Sequence, residues 1–369
     1  MKRRNFLSFS ALGILGYSAM RSQDSIPVLD SADINNNLYP ALAKSGELGA
    51  TGSEIGRIIP APLKRGSKIA ITAPASPTSM YEIRHAIKTF KGLGCEVVVG
   101  KTISEIDRSY RYFSGSEETR VNEFMEFVER DDIDCILCGR GGYGIMRIID
   151  ELDYEKIKAN PKIIMGFSDI TVLLNSVFNK TGLISYHGPV ASSTFNRFTL
   201  DSMKKVLFRE AEVGNYKLNT NKAIVVNGGK AEGKLVGGNL RMIASTLGTP
   251  YEIDTRDSIL FIEEISEPSY KIDRMLTQLK LSGKLDECKG FMFGYFKDLN
   301  KRRPFHPNSS FTIMEVIEQI IKPYNKPTMV NMPFGHVKDK MTLPIGLLAS
   351  LDSDKKQFEL LEEPVLFVG

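Results

Sequence analysis

Ile163-Ile-Met-Gly-Phe-Ser-Asp-Ile-Thr171 predicts the structural unit on which the N-terminal half of this protein is built. Its first residues form a short apolar run typical of a buried strand, and residues 170–180 have helical spacing. Ser168 therefore lies on a turn between a strand that ends at Gly166 and a helix that begins near Asp169. A strand followed at once by a helix is the repeating unit of a parallel sheet covered by helices.

The same alternation extends outward from this stretch. Apolar runs predict strands at residues 68–73, 95–99, 133–138 and 163–165. Helical spacing predicts helices at residues 81–93, from 116, from 141 to 150, and at 170–180. Such buried strands between helices favour a parallel sheet covered on both faces.

The pattern changes after about residue 209, where short strands and glycine-rich turns dominate. Helices remain at residues 239–247, 271–282 and 312–321. The predicted fold class is α/β: an N-terminal parallel-sheet domain that carries a nucleophile-elbow serine, and a β-rich α/β C-terminal domain. The predicted domains are a signal peptide (1–21), a flexible linker (22–61), the N-terminal domain (62–212) and the C-terminal domain (213–369).

Composition and charge limit the class of protein. Of 369 residues, 42% are hydrophobic and 25% are charged, which is enough apolar surface for a sizeable core. The first 21 residues hold four basic and no acidic side chains, so the remainder balances at 44 basic and 44 acidic. A body without net charge has no strong electrostatic attraction for a polyanion, and nucleic acid is not expected as a partner.

The N-terminus resembles an export signal. Lys2-Arg-Arg4 precedes an apolar run over residues 6–19, which is too short to span a membrane. Arg3-Arg-Asn-Phe-Leu7 partly matches a twin-arginine signal, and no lipoprotein cysteine follows. We expect a periplasmic protein with no stable membrane span after signal removal; the alternative is a cytoplasmic protein whose first residues form a short helix.

Cys135 and Cys138 have the C-x-x-C spacing of some redox and metal sites. They lie on a predicted buried strand, where residues three apart point to opposite faces. Packed thiols are the favoured interpretation, and no zinc pattern is present.

Two loops after predicted strands carry possible chemistry. A hydroxyl at Ser168 would project from the sheet edge beside a helix N-terminus, as in a nucleophile elbow, although the last glycine of G-x-S-x-G is absent. The alternative is that Ser168 or Asp169 simply caps the helix. Gly139-Arg-Gly-Gly-Tyr-Gly144 suits an oxyanion or carboxylate cradle, or else a plain turn.

Four histidines are available as bases: His85, His187, His306 and His336. His85 lies in a predicted helix. The other three follow strands or lie in loops, and position alone does not select among them.

Together these segments resemble the LD-carboxypeptidases, also called muramoyltetrapeptide carboxypeptidases, over some 300 residues from about Leu63. The matching segments are Ile71–Pro77, Tyr112–Ser116, Arg140–Gly144, Gly166–Thr171, Tyr186–Pro189, Leu235–Leu240, Leu260–Glu264, Tyr270–Leu276, Gly335-His336 and Leu343–Gly346.

The resemblance implies a serine peptidase with Ser168 as nucleophile, Glu263 as orienting carboxylate and His336 as general base. It also implies that a murein tetrapeptide loses its terminal D-alanine through an acyl-enzyme, usually in a homodimer. Glu264 stands where the family often has aspartate. Members of the family are usually cytoplasmic, and the predicted export signal of this chain departs from that pattern.

Substrate contacts follow from the same resemblance. The N–H groups of Asp169 and of Gly141 or Gly142 would stabilise the oxyanion. Arg140 is a candidate partner for the terminal carboxylate, because a guanidinium binds both oxygens. No metal or other cofactor is expected.

Two alternative functions stay open. Some family members hydrolyse peptide-nucleotide antibiotics and confer immunity, stacking the base on an aromatic residue. The other alternative is a protein that binds wall peptides without turnover, although all three catalytic positions are filled.

The last expectation separates Glu263 from Glu264. Both follow the apolar run Ile259-Leu-Phe-Ile262, and successive residues on a strand face opposite ways. Only one of them can point at His336, and the family pattern selects Glu263. The adjacent Glu264 is then expected to be exposed to solvent.

Overall fold

The part of the chain that the computed structural model describes comprises residues 56–208, 216–296 and 310–366. It contains a six-stranded and an eight-stranded sheet. The predicted signal peptide, most of the predicted linker and the predicted domain boundary at residue 212 lie outside these residues and stay predictions.

The first sheet holds the strand–helix alternation of the N-terminal half. Its first five strands are β1 (Lys68–Thr72), β2 (Glu96–Val99), β3 (Cys135–Cys138), β4 (Ile163–Gly166) and β5 (Ser185–His187). They are parallel in the order β2-β1-β3-β4-β5, as the alternating apolar pattern predicts. The order reverses at β1, and ligands of such sheets bind outside the carboxyl ends of the strands at that point.

The described residues of this half form six helices. They are α1 (Met80–Gly92), α2 (Lys101–Ser104), α3 (Glu117–Glu129), α4 (Tyr154–Ala159), α5 (Thr171–Thr181) and α6 (Arg197–Leu207). Caps set several of their starts: the Ser79 hydroxyl accepts from the Glu82 N–H in a full capping box at α1.

One predicted helix is wrong. Residues 141–150 contain only a single 3₁₀ turn, Ile145–Arg147, rather than a helix. Gly142 and Gly144 have φ of +95° and +137°, in the left-handed region that a helix interior excludes. The N–H groups of Tyr143 and Ile145 bond to side chains of other segments instead of to the preceding turn.

The second sheet holds most of the C-terminal half. Its strands are β6 (Lys217–Asn219), β7 (Ile224–Asn227), β8 (Lys230–Asn239), β9 (Ser258–Glu263), β10 (Gly290–Gly294), β11 (Thr328–Met332), β13 (Leu348–Asp352) and β14 (Gln357–Leu360). The central four, β8 to β11, are parallel, and antiparallel strands flank them on both sides. The remaining strand, β12 (Leu343–Ile345), pairs antiparallel with β5 and so completes the first sheet.

The described residues of this half also form four helices: α7 (Leu240–Ser245), α8 (Ser269–Leu281), α9 (Lys284–Glu287) and α10 (Ile313–Ile320). The α/β class and the β-rich C-terminal half are therefore confirmed.

Strand β9 separates two hydrophobic clusters. Ile259 and Phe261 belong to a large cluster shared with the first sheet, whereas Leu260 and Ile262 belong to a second cluster with α8 and α10. This alternation follows from the two-residue period of a strand. It places Glu263 on the same side of β9 as Phe261.

Cys135 and Cys138 are fully buried free thiols on β3. Burial raises the pKa of both thiols, so neither resembles a reactive thiolate. Within the described ranges, no group of three or more His, Cys, Asp or Glu side chains is arranged to hold a metal ion. None of the helices in those ranges is both long and apolar enough to cross a bilayer.

Candidate active site

Ser168 lies on a strained turn directly after β4. Its φ is +67°, a left-handed conformation that costs an ordinary residue roughly 1–2 kcal/mol. A 3₁₀ turn, Ser168–Ile170, leads from it into α5. Ser168 is half-buried, and the neighbouring Phe167 and Asp169 are buried. A strained, accessible serine between a strand and a helix has the backbone form of a nucleophile elbow.

The glycine loop after β3 packs against this serine. A Cβ atom built on Gly141 would lie 2.8 Å from the Cβ of Ser168 and 3.1 Å from its Oγ, so only glycine allows this approach. Gly142 comes equally close to Ser76, whose Oγ would lie 2.3 Å from such a Cβ. The loops that follow β1, β3 and β4 thus meet at the carboxyl edge of the sheet.

Glu263 and His336 form the closest polar contact of the site. The His336 Nδ1 lies 2.6 Å from the Glu263 Oε2, although the residues are 73 positions apart. Asn239 donates from Nδ2 to the other carboxylate oxygen at 3.2 Å. Burial by itself would raise the pKa of the fully buried Glu263, but these hydrogen bonds and the nearby imidazole hold that pKa below its ordinary value. Glu263 is therefore an anion at neutral pH.

The backbone before His336 fits closely around Glu263. Gly335 has a φ of +87°, and a Cβ atom there would lie 2.6 Å from the Glu263 Cβ. His336 also touches the segment that carries the serine, because its ring centroid is 4.8 Å from that of Phe167. Residues from β4, β9 and the loop after β11 are thus assembled at one place.

His187 is the centre of the aromatic packing behind these residues. Its ring lies 6.0 Å from Phe167, 5.1 Å from Phe261 and 6.4 Å from Phe334, measured between centroids. Each of those phenylalanines is one or two positions before Ser168, Glu263 or His336. His187 is 1% exposed, and neither ring nitrogen has a hydrogen-bond partner in the described part of the chain. Burial lowers its pKa to about 4, so the ring is neutral at pH 7.

Of the other two histidines, only His85 lies in the described part of the chain, and it takes no part in this assembly. His85 is an exposed residue of α1. His306 lies outside the described residues.

Glu264 differs from the expectation of a solvated side chain. It is only 5% exposed, and its carboxylate accepts from the N–H groups of Arg241 and Ile265, each at 2.9 Å. Asn239 donates to it as well, at 3.1 Å. Burial raises the pKa of Glu264, in contrast to that of its neighbour. As the alternation of side chains along a strand predicts, Glu264 points away from His336. Its carboxylate contacts the start of α7, however, and not solvent.

Arg140 and Asp169 occupy different environments. The Arg140 side chain is 51% exposed at the rim of the glycine loop, where Nη1 lies 3.4 Å from the Glu82 Oε1. Asp169 is 2% exposed, and its Oδ2 accepts from the Ile145 N–H at 2.9 Å. Both residues are therefore close to the loop, but only Arg140 presents its charge to solvent.

Several residues near the site carry no motif of their own. Ser76, Arg120 and Asn239 bond to the glycine loop or to Glu263 from distant positions in the chain. The segments that contain Ser76 and Asn239 were part of the family resemblance, but no local spacing indicated these contacts. Arg120 is a single arginine in a helix pattern, where a solvated side chain is the usual outcome.

Comparison with known sequences assigns both halves to one family. The model of the LD-carboxypeptidase N-terminal domain matches residues 69–188, and that of the C-terminal domain matches residues 232–351. A Bacillus subtilis protein described as a probable murein peptide carboxypeptidase is 35% identical over 301 residues, covering 80% of this chain and 92% of its own. Ser168 lies in the first matched range, and Glu263 and His336 lie in the second.

Two solved structures are also similar. The muramoyltetrapeptide carboxypeptidase of Oxalobacter formigenes has a TM-score of 0.70 at 29% identity, covering 81% of this chain and all of its own. The microcin C7 self-immunity protein MccF, in its wild-type apo state, has a TM-score of 0.73 at 27% identity, covering 84% of this chain and all of its own. In both cases the structural similarity thus covers more than four fifths of this chain.

Proposed function

The chain belongs to the LD-carboxypeptidase family of serine peptidases, and from this premise we propose that it removes the terminal D-alanine of murein tetrapeptides by an L,D-specific cleavage. The observation that carries the proposal is the short hydrogen bond between the buried Glu263 and His336, with His336 packed against the residue before Ser168.

In the proposed mechanism, the ionised Glu263 can only accept a hydrogen bond, so the Nδ1 of His336 carries the proton. The Nε2 is then the basic nitrogen, and it takes the proton from the Ser168 hydroxyl as the oxygen attacks the peptide carbonyl. The imidazolium that forms is stabilised by Glu263.

The negative charge that develops on the carbonyl oxygen needs donors. The N–H groups of Asp169 and of the Gly141–Gly142 turn are proposed for this role, each worth about 3 kcal/mol in comparable sites. The C–N bond then breaks, and His336 returns its proton to the leaving amino group. Water, activated by the same histidine, hydrolyses the ester on Ser168 and releases the shortened peptide.

Arg140 is the proposed partner of the substrate's terminal carboxylate. Its guanidinium lies next to the glycine loop and is half exposed, so a substrate can reach it. The nearby Glu82 carboxylate also serves the capping box of α1, which leaves it a fixed, weak partner for the guanidinium at 3.4 Å. Replacement of Arg140 by Lys should raise KM more than it lowers kcat.

Incubation with a murein tetrapeptide, followed by mass spectrometry, tests the activity. The expected product is the tripeptide with one alanine fewer, and the analogue with a C-terminal L-alanine should survive. Equal hydrolysis of both peptides would contradict L,D specificity, and no hydrolysis of either would contradict the proposed substrate.

A second candidate function is hydrolysis of a peptide–nucleotide conjugate. An exposed aromatic cluster favours it: Tyr112 and Tyr143 are 57% and 48% exposed, with ring centroids 5.5 Å apart. Tyrosine faces stack on nucleobases. Aspartyl sulfamoyl adenosine, the compound bound in one MccF structure, is a suitable competing substrate. A higher kcat/KM for it than for the tetrapeptide would favour this second function.

Export and dimerisation are further parts of the proposal. The basic leader and the neutral body support a periplasmic enzyme that trims wall peptides directly, and the family resemblance supports a homodimer. Sedimentation of the purified mature chain would distinguish a dimer from a monomer.

A further inference from the structure

Two buried charged side chains hold the glycine loop beside Ser168. Arg120 is 0% exposed, and its Nη1 donates to the carbonyl oxygens of Pro74 at 2.8 Å and Gly144 at 2.9 Å. Asp169 accepts from the N–H of the next loop residue, Ile145, at 2.9 Å. A cation and an anion thus bind the carbonyl and the amide of consecutive loop residues.

The glycine loop, residues 139–144, depends on such contacts because its sequence allows many backbone conformations. Glycines at 139, 141, 142 and 144 widen the choice of backbone conformations. Ser76 fixes its first part: the Ser76 N–H donates to the Gly141 carbonyl at 3.2 Å, and the Ser76 hydroxyl accepts from the Tyr143 N–H at 3.0 Å. Arg120 and Asp169 fix its end.

Asp169 also connects the loop to the serine directly, because it is the residue after Ser168. A displacement of its carboxylate would move the loop relative to the hydroxyl. The Arg120 guanidinium completes the arrangement, with its central carbon 4.8 Å from the centroid of the Phe113 ring. Its Nε and Nη2 have no hydrogen-bond partner in the described part of the chain, and Asp169 is among the carboxylates that attract its charge.

We propose that Arg120 and Asp169 are positioning residues that hold the N–H groups of the glycine loop at a fixed distance from Ser168, so that the oxyanion hole exists before the substrate binds. The inference rests on the proposed function, since the loop matters only if Ser168 is the nucleophile. Donors that are already in place stabilise the transition state more than the bound substrate. Their loss should lower kcat and leave KM nearly unchanged.

The variants for the test are Arg120→Met and Asp169→Asn, which keep side-chain length or shape and remove the charge. The matched control is Arg147→Met, because the Arg147 guanidinium carbon also lies near the Phe113 ring, at 5.3 Å, but its charge pairs with Glu117 at the surface. Asp169→Asn replaces the charge-assisted hydrogen bond from the Ile145 N–H by a weaker neutral one and removes the attraction between Asp169 and Arg120, and it provides the test if Arg120→Met does not fold.

The first readout is the rate at which a fluorophosphonate labels Ser168, since the tetrahedral adduct occupies the oxyanion hole and requires no peptide. We expect labelling to be at least tenfold slower in Arg120→Met and Asp169→Asn and unchanged in Arg147→Met. The second readout is tetrapeptide turnover, with a kcat loss of about 10²-fold and KM within threefold of wild type.

The outcomes separate the two ideas. Labelling of the folded variants at the wild-type rate would overturn the positioning role, and so would a loss confined to KM. If wild-type protein is labelled but does not cleave tetrapeptides, and the variants are labelled slowly, the proposed substrate fails and the positioning role stands. Absence of labelling in the wild type would overturn both.

Discussion

Replacement of Glu263 by Gln removes one charge from the buried pair with His336 and changes nothing in size. In the proposed mechanism, His336 becomes an imidazolium whose Nδ1 lies 2.6 Å from the carboxylate. At an effective dielectric constant of about 20, two unit charges at that distance attract each other by roughly 6 kcal/mol. The His336 side chain is 20% exposed, so solvent screens part of this energy.

A loss of about 4 to 5.5 kcal/mol corresponds to three to four powers of ten in rate. We therefore expect Glu263→Gln to lower kcat about 10³- to 10⁴-fold, a range similar to that of carboxylate-to-amide changes in other serine triads. KM should change little, because the charge on His336 appears only during the reaction.

Glu264→Gln is the matched control, since it also removes one buried charge and lies one residue away. Its oxygens accept from two backbone N–H groups, and a glutamine can keep only one of these bonds on an oxygen. We expect a destabilisation of about 1–2 kcal/mol with kcat within fivefold of wild type.

The assay compares both variants with wild type at pH 7, using tetrapeptide turnover followed by mass spectrometry and urea unfolding to verify the fold. Turnover of Glu263→Gln within tenfold of wild type would refute the triad. A larger loss in Glu264→Gln than in Glu263→Gln would move the orienting role by one residue.

Three further predictions concern the surroundings of the site and the leader. Gly335→Ala should lower turnover at least tenfold, because the new Cβ would lie 2.6 Å from the Glu263 Cβ. Gly283→Ala is the control and should keep full activity, since Gly283 has a similar φ of +76° and a Cβ there would meet no atom within 4 Å. Equal effects of the two substitutions would contradict the steric argument. Burial lowers the pKa of His187 to about 4. Between about pH 6.5 and pH 4 the unfolded chain therefore binds more protons at this residue than the folded chain does. As the pH falls from 7 to 4.5, the contribution of His187 should lower the free energy of unfolding by about 2 to 3 kcal/mol. That component should be missing from His187→Phe in urea unfolding at the two pH values, and an identical pH dependence would refute it. Cell fractionation should find a shortened chain in the periplasm, and full-length protein with Met1 in the cytoplasm would contradict export.

Local sequence patterns are enough to predict the class of fold and the turn that carries Ser168. Apolar runs and helical spacing are local properties, so they predict the strands that end at Cys138 and Gly166 and the turn at Ser168. The two-residue period of β9 also predicts that Glu263 and Glu264 diverge. The helix predicted over residues 141–150 is wrong, because the side chains that bond to the N–H groups of Tyr143 and Ile145 come from elsewhere in the chain.

The surroundings of those local elements depend on contacts between distant parts of the chain. Glu263 and His336 are 73 residues apart, and Arg120 reaches Gly144 from a separate helix, so no spacing in the sequence encodes either contact. Whether a charged side chain at such a position is solvated or buried depends on which segments pack over it, as Glu264 shows: a strand end that ordinarily lies in water is covered here by the start of α7. The alternation of side chains along a strand predicts the directions of Glu263 and Glu264. Their contact partners depend on the packing of segments that are distant in the sequence.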